Sequence, residues 1–136
     1  MEIKVGVVGA TGYAGAELVR LLLNHPYAKL TAISSVTFEG QKISEVYPSY
    51  LGLCDMVCKT QEEVVEKCDV VFAALPHGLS QELAAACAKR MKFFIDLGAD
   101  FRLEDEETYK TWYGCEFLDK ALHEQAVYGL PELFRP

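Results

Sequence analysis

V-G-V-V-G-A-T-G-Y-A-G, residues Val5 to Gly15, carries more architectural information than any other part of this 136-residue chain. An apolar run, Ile3 to Val8, stops at Gly9, and two further glycines follow at three-residue intervals, Gly12 and Gly15. Beyond them the pattern changes to helical spacing, with Ala14, Leu18, Leu21 and Leu22 expected on one apolar face. Strand, glycine turn and helix in this order form the context of a dinucleotide fingerprint. Gly9 suits a tight turn, Gly12 a close approach of backbone to a pyrophosphate, and Gly15 close packing of helix on strand. The first helical turn then presents free N–H groups to phosphates, and the helix dipole favours their charge. The spacing is G-x-x-G-x-x-G rather than G-x-G-x-x-G, so the flanking strand and helix carry the reading. The competing reading is a strand–helix turn with ordinary glycine punctuation.

The rest of the chain alternates in the same way. Lys29 to Ser35 reads as a second strand after His25-Pro26 ends the first helix. Val36 to Met56 is irregular, long enough to hide a short helix, and Met56 to Lys59 suits a brief strand. Thr60 to Glu63 has capping-box spacing for a helix ending near Lys67. Asp69 to Leu75 is a continuous apolar run, as in a strand covered on both faces, and it ends in Pro76-His77-Gly78. Leu79, Leu83, Ala86, Cys87 and Met91 mark a helix face, with Ser80, Gln81, Glu82, Lys89 and Arg90 directed away from it. Lys92 to Leu97 is the next strand, closed by Gly98. Glu104 to Tyr113 starts with acids, which suits a helix N-terminus. Asp119 to Gln125 is polar, and Ala126 to Pro131 reads as a short strand into a turn. The expected fold is α/β: a doubly wound, mostly parallel sheet of Rossmann type, as one domain over residues 1–136. Its strand ends gather Gly9–Gly12, Ser34–Ser35, Pro76–Gly78 and Gly98–Asp100 on one rim.

Bulk properties narrow the partners. The net charge is -7, which disfavours a nucleic-acid partner, so any anion must be held by local groups. No apolar run approaches the ~18 residues of a membrane span. No leader sequence is visible ahead of the first strand. Five cysteines, an odd number, suit reduced thiols in a cytoplasmic protein. Cys54 and Cys58 lack a second pair at zinc spacing, and no metal site is expected.

At the end of the second strand, a dinucleotide domain specific for NAD carries Asp or Glu. Here Ser34-Ser35 stand in that place, with Glu39 and Lys42 further on. Two hydroxyls and a cation favour the 2′-phosphate of NADP; the alternative is that the serines only open a loop. His77 on the rim could act as a general base near neutral pH, but no partner for it is evident, and a turn-shaping role is favoured. Asp96 and Asp100 read as turn and cap residues rather than a catalytic carboxylate pair.

Several segments together, in order over nearly the whole chain, resemble one family: G-A-T-G-Y-A-G (Gly9–Gly15), D-V-V-F-A-A-L-P-H-G (Asp69–Gly78), I-D-L-G-A-D-F-R-L (Ile95–Leu103), Trp112-Tyr113-Gly114 and A-V-Y-G-L-P-E-L (Ala126–Leu133). They are similar to N-acetyl-gamma-glutamyl-phosphate reductase; the first motif is shared with the aspartate-semialdehyde dehydrogenases. The resemblance implies an NADPH-dependent enzyme of arginine biosynthesis. It reduces an acyl phosphate, N-acetylglutamyl phosphate, to the semialdehyde through a cysteine thioester and releases phosphate. It implies a homo-oligomer for the full-length enzyme. It further implies that Gly9, Thr11, Gly12, Tyr13 and Ala14 hold the pyrophosphate, that Ser34 and Ser35 hold the adenosine end, and that Leu75 and Pro76 lie under the nicotinamide side. Val36 departs from the family, where a basic residue often follows the serines; Lys42 is the expected substitute. The family's N-P-G-C-Y nucleophile motif and its later histidine are not among these residues. The chain is therefore expected to be the cofactor-binding part, without turnover of its own and with apolar surface left open at the sheet edge. A short-chain reductase reading fails, since no tyrosine here has lysine four residues on. A nucleotide-sensing module without chemistry, and a scaffold with an empty fingerprint, remain the alternatives.

Overall fold

The computed structural model describes residues 2–134; Met1, Arg135 and Pro136 of the expected domain lie outside the described residues. Its centre is a five-stranded sheet of β1 (Ile3–Val8), β2 (Ala28–Ser34), β3 (Cys58–Lys59), β4 (Val70–Ala73) and β5 (Phe93–Asp96). The strand order is β3-β2-β1-β4-β5 and every pairing within the sheet is parallel. The order reverses beside β1, which is the topological switch point of a doubly wound fold. Both faces of β1 are covered, so Val5, Val7 and Val8 are all buried, which is why this strand reads as an unbroken apolar run.

Helix α1 (Tyr13–Leu22) covers one face, with α2 (Ile43–Val46) and a 3-10 turn at Pro48–Tyr50. Val5, Val7, Val19, Leu22, Ile33 and Ile43 form the core there. On the other face α3 (Gln61–Lys67) and α4 (Ser80–Lys89) bury Val64, Val65, Leu83 and Cys87 against Val8, Ala32 and Val71. The long irregular stretch thus does hide short helices. Thr60 caps α3 with the expected box: Glu63 N–H donates to Thr60 Oγ1 at 3.2 Å and Thr60 N–H to Glu63 Oε2 at 3.1 Å. Helices α5 (Glu106–Tyr113), α6 (Lys120–Gln125) and α7 (Pro131–Phe134) follow the sheet.

Three expectations need correction. The buried stripe of α1 is Gly15, Val19 and Leu22, while Ala14 and Leu21 are exposed. Gly15 sits so close to the Gly9 carbonyl that a Cβ would clash there, which turns that side of the helix toward the sheet. At α4, Ser80 and Gln81 are buried whereas the flanking Leu79 and Met91 are exposed, because Asp96 and Asp100 satisfy Ser80 and the backbone of residues 116–118 satisfies Gln81. Ala126 to Leu130 forms no strand; the polar stretch before it is a helix capped by Asp119. Gly129 removes a side chain and Pro131 a donor from the would-be strand. The segment instead lines a cavity together with residues of α4 and β5, and Arg102 stands 5.5 Å from the Tyr128 ring centre.

All five cysteines are free thiols, four of them buried. Burial pushes Cys68 and Cys87 up to about 11, so they are inert core groups. As expected, one edge of the sheet leaves apolar surface open: Phe93, Ile95 and Leu97 of the β5 segment are exposed. No helix among the described residues is long and apolar enough to cross a membrane.

Helix α4 ends without a glycine. Met91 takes the left-handed conformation there, φ 53°, with its side chain in solvent. Met91→Gly should raise stability by about 1 kcal/mol by relieving that conformation, measured by urea unfolding.

Candidate functional site

The rim at the carboxyl ends of the parallel strands brings the expected segments together. Gly9 and Ala10 both donate their N–H to Ser34 O, at 3.1 and 2.9 Å, which ties the glycine turn to β2. Ala74 N–H donates to Val8 O at 2.9 Å, and Leu97 N–H to Ala73 O at 2.9 Å, joining the turn to the ends of β4 and β5. Gly9–Gly12, Ser34–Ser35, Leu75–Pro76 and Gly98–Asp100 therefore line one edge.

The three glycines differ in what they answer to. Gly9 has φ +81°, and a Cβ there would meet Ala74 O at 2.2 Å. At Gly15 a Cβ would meet Gly9 O at 2.0 Å. Both are demanded by the protein's own packing. Gly12 is not: its φ is -75°, and its nearest neighbour to a Cβ would be Gly9 O at an ordinary 3.5 Å. Nothing inside the chain requires a bare backbone at this exposed position. It is the N-cap of α1, makes no side-chain cap, and no acid occupies the first turn. The N–H groups of Tyr13, Ala14 and Gly15 have no intrahelical acceptor, as at any helix start. The starts of α3, α5 and α6 are closed by Thr60, Asp105 and Asp119. Helix α1 thus offers an anion the open donors that those helices spend on their own side chains.

The side chains of Thr11 and Ser35 are committed to shaping this loop. Thr11 Oγ1 and Ser35 Oγ are 2.6 Å apart, and Phe38 N–H donates to Ser35 Oγ at 3.2 Å. Ser34 and Ser35 are only 1% and 4% exposed; the Ser35 side chain braces the turn from beneath, and Ser34 holds it through its carbonyl. Tyr13 is free in solvent, and Ala14 and Val36 are also exposed. Tyr47 Oη donates to Thr11 O at 2.7 Å, and Tyr50 Oη to Ala16 O. These two tyrosines clamp the loop and the start of α1, and no local pattern in the residues around them marks that role. Leu75 reaches the turn from β4: its Cδ2 would stand 3.3 Å from a Cβ on Gly9. Pro76 is exposed beside it.

Asp100 holds the other half of the rim. It is fully buried and accepts from Gly78 N–H at 2.7 Å, Ser80 N–H at 2.9 Å and Tyr109 Oη at 2.8 Å. One carboxylate therefore caps α4 and fixes the Pro76–Gly78 loop. Burial and this carboxylate hold the Tyr109 phenol far above its ordinary range. Asp96 accepts from Ser80 Oγ at 2.8 Å and Gly98 N–H at 2.9 Å, and burial pushes its carboxyl up. Both acids serve as turn and cap groups. His77 is exposed, its ring leaning on Tyr113 with centroids 4.8 Å apart. Cys115 lies under the same loop: a Cβ on Gly78 would meet its sulfur at 3.0 Å.

Gln81 extends the network to α6. Its Oε1 accepts Leu118 N–H at 2.8 Å, its Nε2 donates to Glu116 O at 2.9 Å, and His123 Nε2 lies 3.2 Å from Oε1. Since Oε1 is an acceptor, the imidazole proton belongs on Nε2. His123 stacks on Phe117 with ring centres 3.5 Å apart. Burial lowers its pKa against the opposing pull of Asp100, Glu106 and Asp119. Among the described residues no cluster of His, Cys, Asp and Glu is arranged to hold a metal ion.

A switch-point rim with open helix donors has the geometry of an anion site, and comparison with known proteins supplies the family. The family profile described as semialdehyde dehydrogenase, NAD binding domain, matches residues 4–136. The chain belongs to this family. It is 53% identical over 133 residues to the N-acetyl-gamma-glutamyl-phosphate reductase of Clostridium beijerinckii, covering 98% of this chain and 39% of that protein. The same enzyme of Brachyspira hyodysenteriae is 51% identical, covering 98% and 38%. The chain thus spans about two fifths of the length of these curated relatives. Aspartate semialdehyde dehydrogenase with NADP from Candida albicans superposes with a TM-score of 0.66 at 24% identity, covering 78% of this chain and 32% of that one. Aspartate semialdehyde dehydrogenase II from Vibrio cholerae gives 0.61 at 20%, covering 75% and 30%. These structures share the fold.

Two outcomes follow for this NAD-binding domain. Asp100→Ala strands three donors and should cost about 3 kcal/mol of stability, read by chemical denaturation. Because the His123 pKa is lowered on folding, the unfolded chain takes up its proton first. His123's contribution is therefore complete above the ordinary value of 6.5 and is lost as pH falls below it toward the lower folded value. His123→Phe should flatten that part of the stability–pH curve relative to the unsubstituted chain.

Proposed function

We propose that this chain is the cofactor-holding domain, residues 1–136, of a cytoplasmic, homo-oligomeric N-acetyl-gamma-glutamyl-phosphate reductase of arginine biosynthesis. The full enzyme is an oxidoreductase that uses NADPH to reduce N-acetylglutamyl phosphate to the semialdehyde with release of phosphate. The names of the relatives, at about half identity across nearly the whole chain, support this reading. So does the resemblance of the P-H-G, L-G-A-D-F-R-L and Y-G-L-P-E-L segments.

The observation that carries cofactor binding is Gly12, a bare backbone position with no internal reason to be bare. The pyrophosphate lies against Gly9, Thr11, Gly12, Tyr13 and Ala14, held by backbone N–H groups and the α1 dipole. Ser34 and Ser35 form the floor at the adenosine end. Leu75 and Pro76 wall the nicotinamide side, where the bound cofactor supplies hydride. This local set of donors also answers how a chain of net charge -7 attracts a polyanion. The thioester step calls for a reactive thiolate. Cys54, Cys58, Cys68 and Cys87 are buried in the core, and Cys115 is wedged under Gly78 with its sulfur donating to Tyr113 O at 3.4 Å. We assign the nucleophile to none of them, and this chain alone turns nothing over.

Calorimetric titration with NADPH tests the reading. The chain should bind saturably. Gly12→Val should lower affinity at least about tenfold while the unfolding midpoint stays near that of the unsubstituted chain, because the protein itself has room for the side chain. Gly15→Ala, by contrast, should destabilise the fold itself. Unchanged NADPH affinity in Gly12→Val would sink the proposal.

A further inference from the structure

The cofactor reading leaves one charge unassigned. The 2′-phosphate that distinguishes NADPH from NADH needs a cation, and Val36 stands exposed where the family often has one. The segments that leave β1, β2 and β3 at the rim, residues 9–13, 35–42 and 59–60, contain two cations, Lys42 and Lys59. Sequence proximity to the serines favours Lys42. The backbone does not.

After Ser35 the chain turns at Phe38 and runs back, antiparallel, along the outer edge of β3. Gly40 N–H donates to Cys58 O at 2.9 Å and Cys58 N–H to Gln41 O at 2.9 Å, and Lys42 bridges Val57. Lys42 is thereby carried down the strand from the rim, on the side of β3 away from β2. Its own N–H is held by Glu45 Oε2 at 2.9 Å. Lys59 is the last residue of β3 and pairs in register with Ser34, the last residue of β2. It stands at the rim itself, next to the floor of the adenosine end.

Lys59 is also free to serve an anion. Its Nζ lies 3.9 Å from Glu63 Oε1, and Lys67 Nζ lies 3.9 Å from the same oxygen. Neither distance is a close hydrogen bond. Glu63 meanwhile is engaged at the start of α3, where Thr60 N–H donates to its other oxygen. One carboxylate faces two ammonium groups, so a positive charge is left over, and the Lys59 side chain is 43% exposed. We propose that Lys59, delivered by the strand next to the serines, is the cation that receives the adenosine 2′-phosphate and sets the preference for NADPH over NADH.

The test is calorimetric titration of the whole 136-residue chain with NADPH and NADH in parallel, before and after Lys59→Met, Lys59→Arg and Lys42→Met. The chain should prefer NADPH. Lys59→Met should lower NADPH affinity about tenfold and leave NADH affinity within about twofold. Lys59→Arg should keep the preference, and Lys42→Met should not alter it. A structural role for Lys59 would weaken both dinucleotides alike, and that result overturns the proposal. So does an unchanged ratio in Lys59→Met, a ratio that moves only with Lys42→Met, or equal binding of the two dinucleotides by the unsubstituted chain. Failure to bind either dinucleotide is a separate result: it removes the cofactor reading itself, and the role of Lys59 with it.

Discussion

The close approach of α1 to the end of β1 governs the rest of the structure. Gly15 lies against the Gly9 carbonyl at a distance that leaves no room for a Cβ. The helix is thus held directly over the central strand, and its N-terminus is brought to the switch point of the sheet. That contact selects the buried stripe of α1, Gly15, Val19 and Leu22. It leaves the first-turn N–H groups facing out over the rim. Gly9 completes the arrangement with a positive φ that a side chain would strain.

The two halves of the rim solve the same electrostatic problem in opposite ways. Every helix start carries unpaired donors and a partial positive charge. At α4 a carboxylate of the protein, Asp100, fills that place and locks the Pro76–Gly78 loop. At α1 the protein supplies no side chain at all. The Asp100 side is self-satisfied, with Tyr109 and Ser80 drawn into it; the α1 side keeps its donors open. A negatively charged chain can in this way present a local anion site, since the field near a helix end depends on its own peptide groups and not on net charge.

Much of this was legible in the residues. Glycine spacing located the turn, apolar runs located the strands, and Thr60 and Glu63 located the start of α3. Alternation of strands and helices then led to a parallel sheet, and the strand-end rule to the rim. Where the reading failed, packing or partners overrode local pattern. Leu21 and Met91 fit an apolar stripe by spacing, yet the Gly9–Gly15 contact and a left-handed helix end turn them outward. Ser80 and Gln81 look like surface residues, but Asp96, Asp100 and the backbone of residues 116–118 satisfy them in the interior. Tyr47 and Tyr50 carry no local signal for a bond to Thr11 and Ala16, more than thirty residues away.

The sequence by itself determined the fold class, the order of its elements and the position of the glycine turn. Each depends on chain-local physics: hydrophobic period, the backbone freedom of glycine and helix capping. Only the tertiary structure decided which groups are spoken for. It showed that Ser35 and Thr11 brace one another and that Asp100 serves three donors. It also carried Lys42 away from the rim while setting Lys59 beside Ser34. A hydrogen bond or an ion site is a meeting of residues distant in the chain, and strand register creates it where sequence spacing cannot.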